Sequence, residues 1–266
     1  MTKYTPCSPF PTARDDEEAA RRARDTAQTR SPSYRLAFAD SDFLVRDELR
    51  PVRLQLELLK PELAFQEEKI ESTIVVFGSA RTPAPEDDGG SPEKIAIYEE
   101  ARRFARIMSE RKSPDGMRNV IVTGGGPGVM EAANRGAHEA GERSVGLNIV
   151  LPHEQAPNPY ATPELSFQFH YFAIRKMHFL MRARALVCFP GGFGTMDELF
   201  EMLTLIQTGK VMPIPVLLFR EAWWRRIVNF EAMAEEGVIA PADLDIFQFV
   251  ETAEQAQAAI EGFYGE

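Results

Sequence analysis

The chain of 266 residues is 44% hydrophobic and 26% charged, a balance that suits one large globular α/β domain with or without an appendage and excludes a disordered chain. Its formal net charge of −10 argues against a nonspecific nucleic-acid binder. It still admits a small anionic ligand, because helix ends and a few arginines outweigh global charge at close range. No apolar run is long enough to cross a bilayer, no apolar signal core stands near the start, and only Cys7 and Cys188 are available for a disulfide. The expectation is a cytoplasmic protein without membrane or disulfide chemistry.

Residues 1–33 are rich in Pro, Arg, Asp, Glu and Ala, and Asp15 to Arg30 suits a charged helix with little to bury. From Asp40 to Glu68, Phe43, Leu44, Leu54, Leu58 and Leu59 recur at helical spacing, and Pro51 and Pro61 are expected to break the pattern into short helices. This defines an N-terminal tail and helical extension over residues 1–70. A nucleotide-binding domain over residues 71–266 opens with the β-branched run Thr73 to Phe77, ending in Gly78-Ser79.

A helix follows over Pro92 to Arg111, then a strand over Asn119 to Thr123, the glycines 124 to 126, a helix from Val129 to Ala140, and a strand over Ser144 to Val150. Beyond a loop with four prolines come a short strand near Phe167 to Phe169, a helix from Ala173 to Arg184, and a strand from Ala185 to Phe189. A helix from Met196 to Gln207, a strand over Val216 to Phe219, a helix over Ala222 to Glu235, a strand near Phe247 to Val250 and a terminal helix complete the chain. Strands alternating with helices predict a Rossmann-like, doubly wound, mainly parallel sheet, with ligands at the carboxyl ends of its strands.

Two glycine loops join a predicted strand to a predicted helix. They are Thr123-Gly124-Gly125-Gly126-Pro127-Gly128 and Pro190-Gly191-Gly192-Phe193-Gly194-Thr195. Bare backbone and a helix start together suit a phosphate. Neither loop ends in the Gly-Lys-Ser/Thr of a Walker loop, and neither has the dinucleotide spacing. Thr195-x-x-Glu198 fits a capping box, with Thr195 at the N-cap, yet Glu198 also stands where a catalytic carboxylate would face the ligand crevice. Cys188 suits a buried small hydrophobe, and no metal-ligand spacing is present. His170 and His178 stand beside aromatic residues and take no assigned role. Phe167, Phe169, Tyr171 and Phe172 suit base stacking, with core packing expected for at least two of them.

The pair Arg175-Lys176 followed by Pro190-Gly-Gly-Phe-Gly-Thr-Met-Asp-Glu198 resembles the signature of the LOG family, often mislabelled "lysine decarboxylase". The likeness runs from about Ile74 to Phe219 and takes in the Phe77-Gly78-Ser79 turn and the loop from Gly124 to Met130. Short members commonly carry Met-His-x-Arg-Lys, where this chain has Phe172-Ala173-Ile174-Arg175-Lys176.

The resemblance implies hydrolysis of the N-glycosidic bond of nucleoside 5′-monophosphates, cytokinin riboside monophosphates among them, to free base and ribose 5-phosphate, with no cofactor. It implies Arg175 and Glu198 as the catalytic pair, Gly191, Gly192, Gly194 and Thr195 around the 5′-phosphate, and Gly78, Ser79, Gly125, Gly126, Met130 and Lys176 as further substrate contacts. It also implies a homodimer or larger homo-oligomer. The competing readings are a nucleotide or molybdenum-cofactor carrier on the same fold, which needs no Arg175–Glu198 pair, and a decarboxylase, for which no pyridoxal-phosphate lysine context is evident.

Overall fold

The computed structural model describes residues 10–88, 90–111, 119–152 and 156–265. Cys7 lies outside these residues. Contacts divide the chain into two compact units, Met1–Leu56 and Glu57–Glu266.

In the first unit, helix α1 spans Ala13–Arg21 and begins with a reciprocal cap: Asp15 N donates to the Thr12 hydroxyl, and Thr12 N donates to the Asp15 carboxylate. The helix stops well short of Arg30, because Thr26 and Thr29 turn their hydroxyls onto each other's amides and close a turn. Helix α2, Ser41–Leu44, is capped by Asp40, whose carboxylate also pairs with Arg35.

Helix α3 runs without interruption over Arg50–Glu67, through both prolines. The expected break at Pro51 does not occur, because a proline in a first helical turn removes only an amide that has no intrahelical partner. Pro61 is a true interior proline. It leaves the Glu57 carbonyl, four residues back, without its helical donor. His178 Nε2 takes up that carbonyl at 3.2 Å, and this replaces the missing bond.

The second unit is built on seven parallel strands: β1 (Ser72–Phe77), β2 (Asn119–Thr123), β3 (Ser144–Ile149), β4 (Ser166–Phe169), β5 (Ala183–Cys188), β6 (Val216–Phe219) and β7 (Gln248–Val250). Their order in the sheet is β4-β3-β2-β1-β5-β6-β7. Every residue of β1 is buried, as its continuous apolar run requires. Alternation sends Ile74 and Val76 to one face, against helices α4 (Pro92–Glu110), α5 (Val129–Glu139) and α10 (Ala253–Tyr264). Val75 and Phe77 face the other side, with Phe65 of α3, Phe179 of α6 (Phe172–Leu180), Leu199 of α7 (Phe193–Gln207), Trp224 of α8 (Glu221–Ile227) and Phe230 of α9 (Phe230–Glu235). Each such side chain contributes about 1.5–3 kcal/mol by leaving water, so the two faces together hold the sheet.

Several boundaries differ from the sequence expectation. Helix α6 ends at Leu180 instead of Arg184, because the Arg182 carbonyl already accepts from Thr73 N and enters the sheet. Helix α7 starts three residues early, inside the glycine loop. The expected helix over Ala222 to Glu235 divides at Val228, which is extended, and Asn229 then caps α9 by accepting from Ala232 N.

Chain order fixes where a ligand can sit. From β1 the chain winds outward through β2, β3 and β4, then returns to β5 on the other side of β1 and winds outward again. The loops after β1 and β5 therefore diverge and open a crevice at their carboxyl ends.

Candidate functional site

A cleft of about 780 Å³ occupies this crevice. Its floor is the β1 turn at Gly78-Ser79 and the β5 loop, locked together because Ser79 N donates to the Pro190 carbonyl at 3.0 Å. Ser79 also accepts Val129 N at 3.1 Å, so the start of α5 is fixed to the same turn.

One wall is the first turn of α7. Its N-cap is Gly192, and no side chain caps the helix. The capping-box expectation, with Thr195 at the N-cap and Glu198 at N3, is therefore corrected: Met196 N donates to the Gly192 carbonyl, which sets the start three residues earlier. The Thr195 side chain folds back over Gly191, where a Cβ would stand 2.1 Å from Thr195 Oγ1, so this position admits only glycine. A Cβ at Gly192 or Gly194 would meet no protein atom within 4 Å, so these two residues offer bare backbone to open space. The amides of a first helical turn have no intrahelical acceptor and carry the positive end of the helix dipole, an arrangement that suits a phosphate.

Glu198, one turn further along α7, lies inside the cleft wall with only 5% of its surface exposed. Its Oε2 is buried and has no hydrogen-bond partner among the described residues. Burial pushes its carboxyl up to about 7, against the opposing charges of Lys176 and Arg175. Such a group holds and releases a proton near neutrality.

Arg175 reaches the cleft from α6. Its Nε donates to the Leu147 carbonyl of β3 at 2.7 Å, and its guanidinium lies 5.2 Å from the centre of the Phe179 ring. Its tip lies against Gly124, where a Cβ would stand 2.6 Å from Nη2 and 2.8 Å from Met130 Sδ.

The cleft lining thus brings together Arg175, Glu198, Gly191, Gly192, Gly194, Thr195, Gly78, Ser79 and Met130. Gly125, Gly126 and Lys176 do not line it. The carbonyls of Gly125 and Gly126 accept from the buried Asn158 amide group, and that amide's carbonyl side is tied to the following loop. The Lys176 ammonium forms ion pairs with Asp197 at 2.8 Å and Glu201 at 3.1 Å, and so joins α6 to α7. Burial disfavours its charge, but these two carboxylates outweigh burial and hold its pKa above the usual value.

Residues without an assigned role in the sequence reading also line the cleft. They include Gly124, Arg81, Ile149, Leu151 and Ile227. The signal for Gly124 was its place as the first residue after β2, and for Arg81 its place two residues after Ser79. Phe167 and Phe169 are buried on one face of β4, as core packing requires, while Phe172 is half exposed and faces the cleft. His178 is buried, and His170 is exposed. Cys188 is buried, and burial pushes its thiol up, which leaves it inert. Among the described residues, no group of three or more His, Cys, Asp and Glu is arranged to hold a metal, and no helix is long and apolar enough to cross a membrane.

Comparison with known proteins adds to this geometry. The family model described as "Possible lysine decarboxylase" matches residues 130–260. The cytokinin riboside 5′-monophosphate phosphoribohydrolase LOG3 of Arabidopsis thaliana is 28% identical over 149 residues, which cover 54% of this chain and 67% of that protein. The crystal structure of TM1055 is 25% identical, covers 72% of this chain and 99% of its own, and gives a TM-score of 0.49. The molybdenum cofactor binding protein of Rippkaea orientalis is 18% identical, covers 73% and 99% of the two chains, and also gives 0.49.

Proposed function

We propose that this chain, which belongs to the LOG family, hydrolyses the N-glycosidic bond of nucleoside 5′-monophosphates to free base and ribose 5-phosphate. The observation that carries this reading is Glu198: a buried carboxylate with an unpartnered oxygen, titrating near neutrality, in the same cleft as Arg175 and an uncapped helix start.

The 5′-phosphate sits on the first turn of α7, on the bare backbone of Gly192 and Gly194. Arg175 supplies a fixed positive fork that orients the substrate and stays charged throughout. As the bond from C1′ to the base nitrogen breaks, its electron pair leaves with the base, and positive charge grows on the ribose. Ionised Glu198 stabilises that charge and takes a proton from the attacking water, whose oxygen bonds to C1′. Glu198 then passes that proton through solvent to the departing base, so the base leaves neutral, Glu198 returns to its ionised form, and the products are free base and ribose 5-phosphate.

Met130, Ile149, Leu151 and Phe172 give the cleft an apolar side. They support a base with an apolar substituent, as in a cytokinin riboside monophosphate. Decarboxylation through a lysine Schiff base has no support, since the described lining residues include no lysine and Lys176 is held charged between two carboxylates. The large exposure of Phe193 and Met212 (95% and 82%) supports assembly into a homodimer or larger oligomer.

The test is the release of ribose 5-phosphate from AMP, GMP, CMP, UMP and an N6-prenylated adenosine monophosphate. Release from at least one supports the proposal. Tight nucleotide binding with no release from any would favour a carrier.

A further inference from the structure

Helix α6 carries Arg175 but does not cap itself. Its N-cap residue is Tyr171, whose side chain makes no capping bond. The cap comes from more than a hundred residues away, on α3. The Glu57 carboxylate accepts His170 N on Oε1 at 2.8 Å and Tyr171 N on Oε2 at 3.1 Å. One carboxylate thus spans two successive amides at the positive end of the helix, where a negative charge is best placed.

The main chain of Glu57 holds α6 as well. Pro61 leaves the Glu57 carbonyl without its helical donor, and His178 Nε2, near the other end of α6, fills that place at 3.2 Å. One residue therefore grips the helix before its first turn and again in its second.

The grip leads directly to Arg175. Tyr171 receives Glu57 on its amide, and its carbonyl accepts Arg175 N at 3.2 Å. A single residue separates the carboxylate from the backbone of Arg175, and the Arg175 side chain is pinned from the far side by the Leu147 carbonyl.

We infer that Glu57 is a positioning residue for Arg175: it fixes the start of α6 so that the guanidinium meets the substrate in register. This gives the middle of α3 a part in the reaction, through α6, without contact with the substrate. The inference rests on the proposed function only for its catalytic readout. The placement of Arg175 also governs nucleotide binding.

The test compares Glu57→Ala, Glu57→Gln and, as a stability control, Glu62→Gln, which breaks the pair between α3 and Arg182 beyond the end of α6. Each is made in the full chain with Arg175 intact and with Arg175→Ala. A shift of about an ångström in a positioned group costs up to roughly a hundredfold in rate, and a loosened cap is expected to cost about tenfold.

Glu57→Ala is expected to lower kcat/KM about tenfold and to weaken AMP binding, read by calorimetry, by a similar factor. Glu57→Gln, which keeps one acceptor oxygen, is expected to recover most of both. In the Arg175→Ala background Glu57→Ala should cost nothing more. Glu62→Gln should lower Tm by as much as Glu57→Ala and leave kcat/KM within about twofold. Equal losses for Glu57→Ala and Glu62→Gln, or a full further loss without Arg175, would overturn the inference. If the wild-type chain hydrolyses no nucleotide, the functional reading fails, and AMP affinity alone decides the role of Glu57.

Discussion

The guanidinium of Arg175 rests against the α-carbon of Gly124, so closely that a methyl group there would stand 2.6 Å from Nη2. The loop after β2 thus shapes the site by what it lacks. Glycine at 124 leaves the space through which an arginine from another helix reaches the mouth of the β1–β5 crevice.

Gly124→Ala should therefore separate stability from function. The atoms it meets are Arg175 Nη2 and Met130 Sδ, both at or near the ends of flexible side chains, and both can move aside cheaply. The expected result is a Tm within a few degrees of wild type and a kcat/KM reduced by about tenfold or more. A thermal melt and steady-state kinetics on the same preparation check it.

Glu198 sets the pH dependence. Its carboxyl is pushed up to about 7 by burial, and the mechanism needs it ionised. The kcat/KM value should rise as pH increases through about 7 and level off above. Lys176 opposes the shift with its positive charge, and Lys176→Met removes that opposition. The rising limb of that variant should move to higher pH. Rate profiles of the two proteins between pH 5 and 9 read this shift.

Glu198→Gln should abolish turnover, by a factor of about a hundred or more, while nucleotide binding survives. The substitution also carries a stability signature with a definite sign. A carboxyl whose folded pKa exceeds its unfolded value, near 4.5, favours folding when protonated. That contribution is full below about 4.5 and is lost as pH rises through about 7. Glu198→Gln has no such loss, so its stability relative to wild type should grow from pH 4 to pH 8, by on the order of 3 kcal/mol. Urea titrations at the two pH values measure the difference.

His178 acts in the opposite direction. Burial lowers its pKa below 6.5, and its neutral ring donates to Glu57. Its contribution is present above pH 6.5 and is lost as pH falls through the lower folded value. His178→Phe should cost about 1–3 kcal/mol at pH 7.5, because the Glu57 carbonyl is left unsatisfied. The gap to wild type should narrow at pH 5, because the unfolded wild-type chain takes up a proton there that burial disfavours on the folded ring. Denaturant midpoints at the two pH values show whether it does.

Much of this architecture is legible in the sequence, and the reasons are physical. The β-branched, apolar run at Thr73 to Phe77 and the apolar segment at Val216 to Phe219 are buried on both faces, so local pattern and tertiary position agree. The loop from Pro190 to Thr195 is also readable, since its glycines answer close backbone approach and an open helix start. Other features depend on partners distant in the chain. Pro61 reads as a helix breaker because nothing nearby shows that His178 will donate to the freed carbonyl in place of an amide. Thr195 and Glu198 have the spacing of a capping box, but the helix begins at Phe193 and turns both residues toward the cleft. Glu57 carries no local signal at all, since its bonds reach residues 170 and 171.

The most direct measurement of the central claim is a stoichiometric assay of a nucleoside 5′-monophosphate incubated with the wild-type chain and with Glu198→Gln. The account predicts that free base and ribose 5-phosphate appear one to one with the wild-type chain, while Glu198→Gln binds the nucleotide and releases neither. Equal release by both proteins, or none by wild type across the whole nucleotide panel, would contradict it.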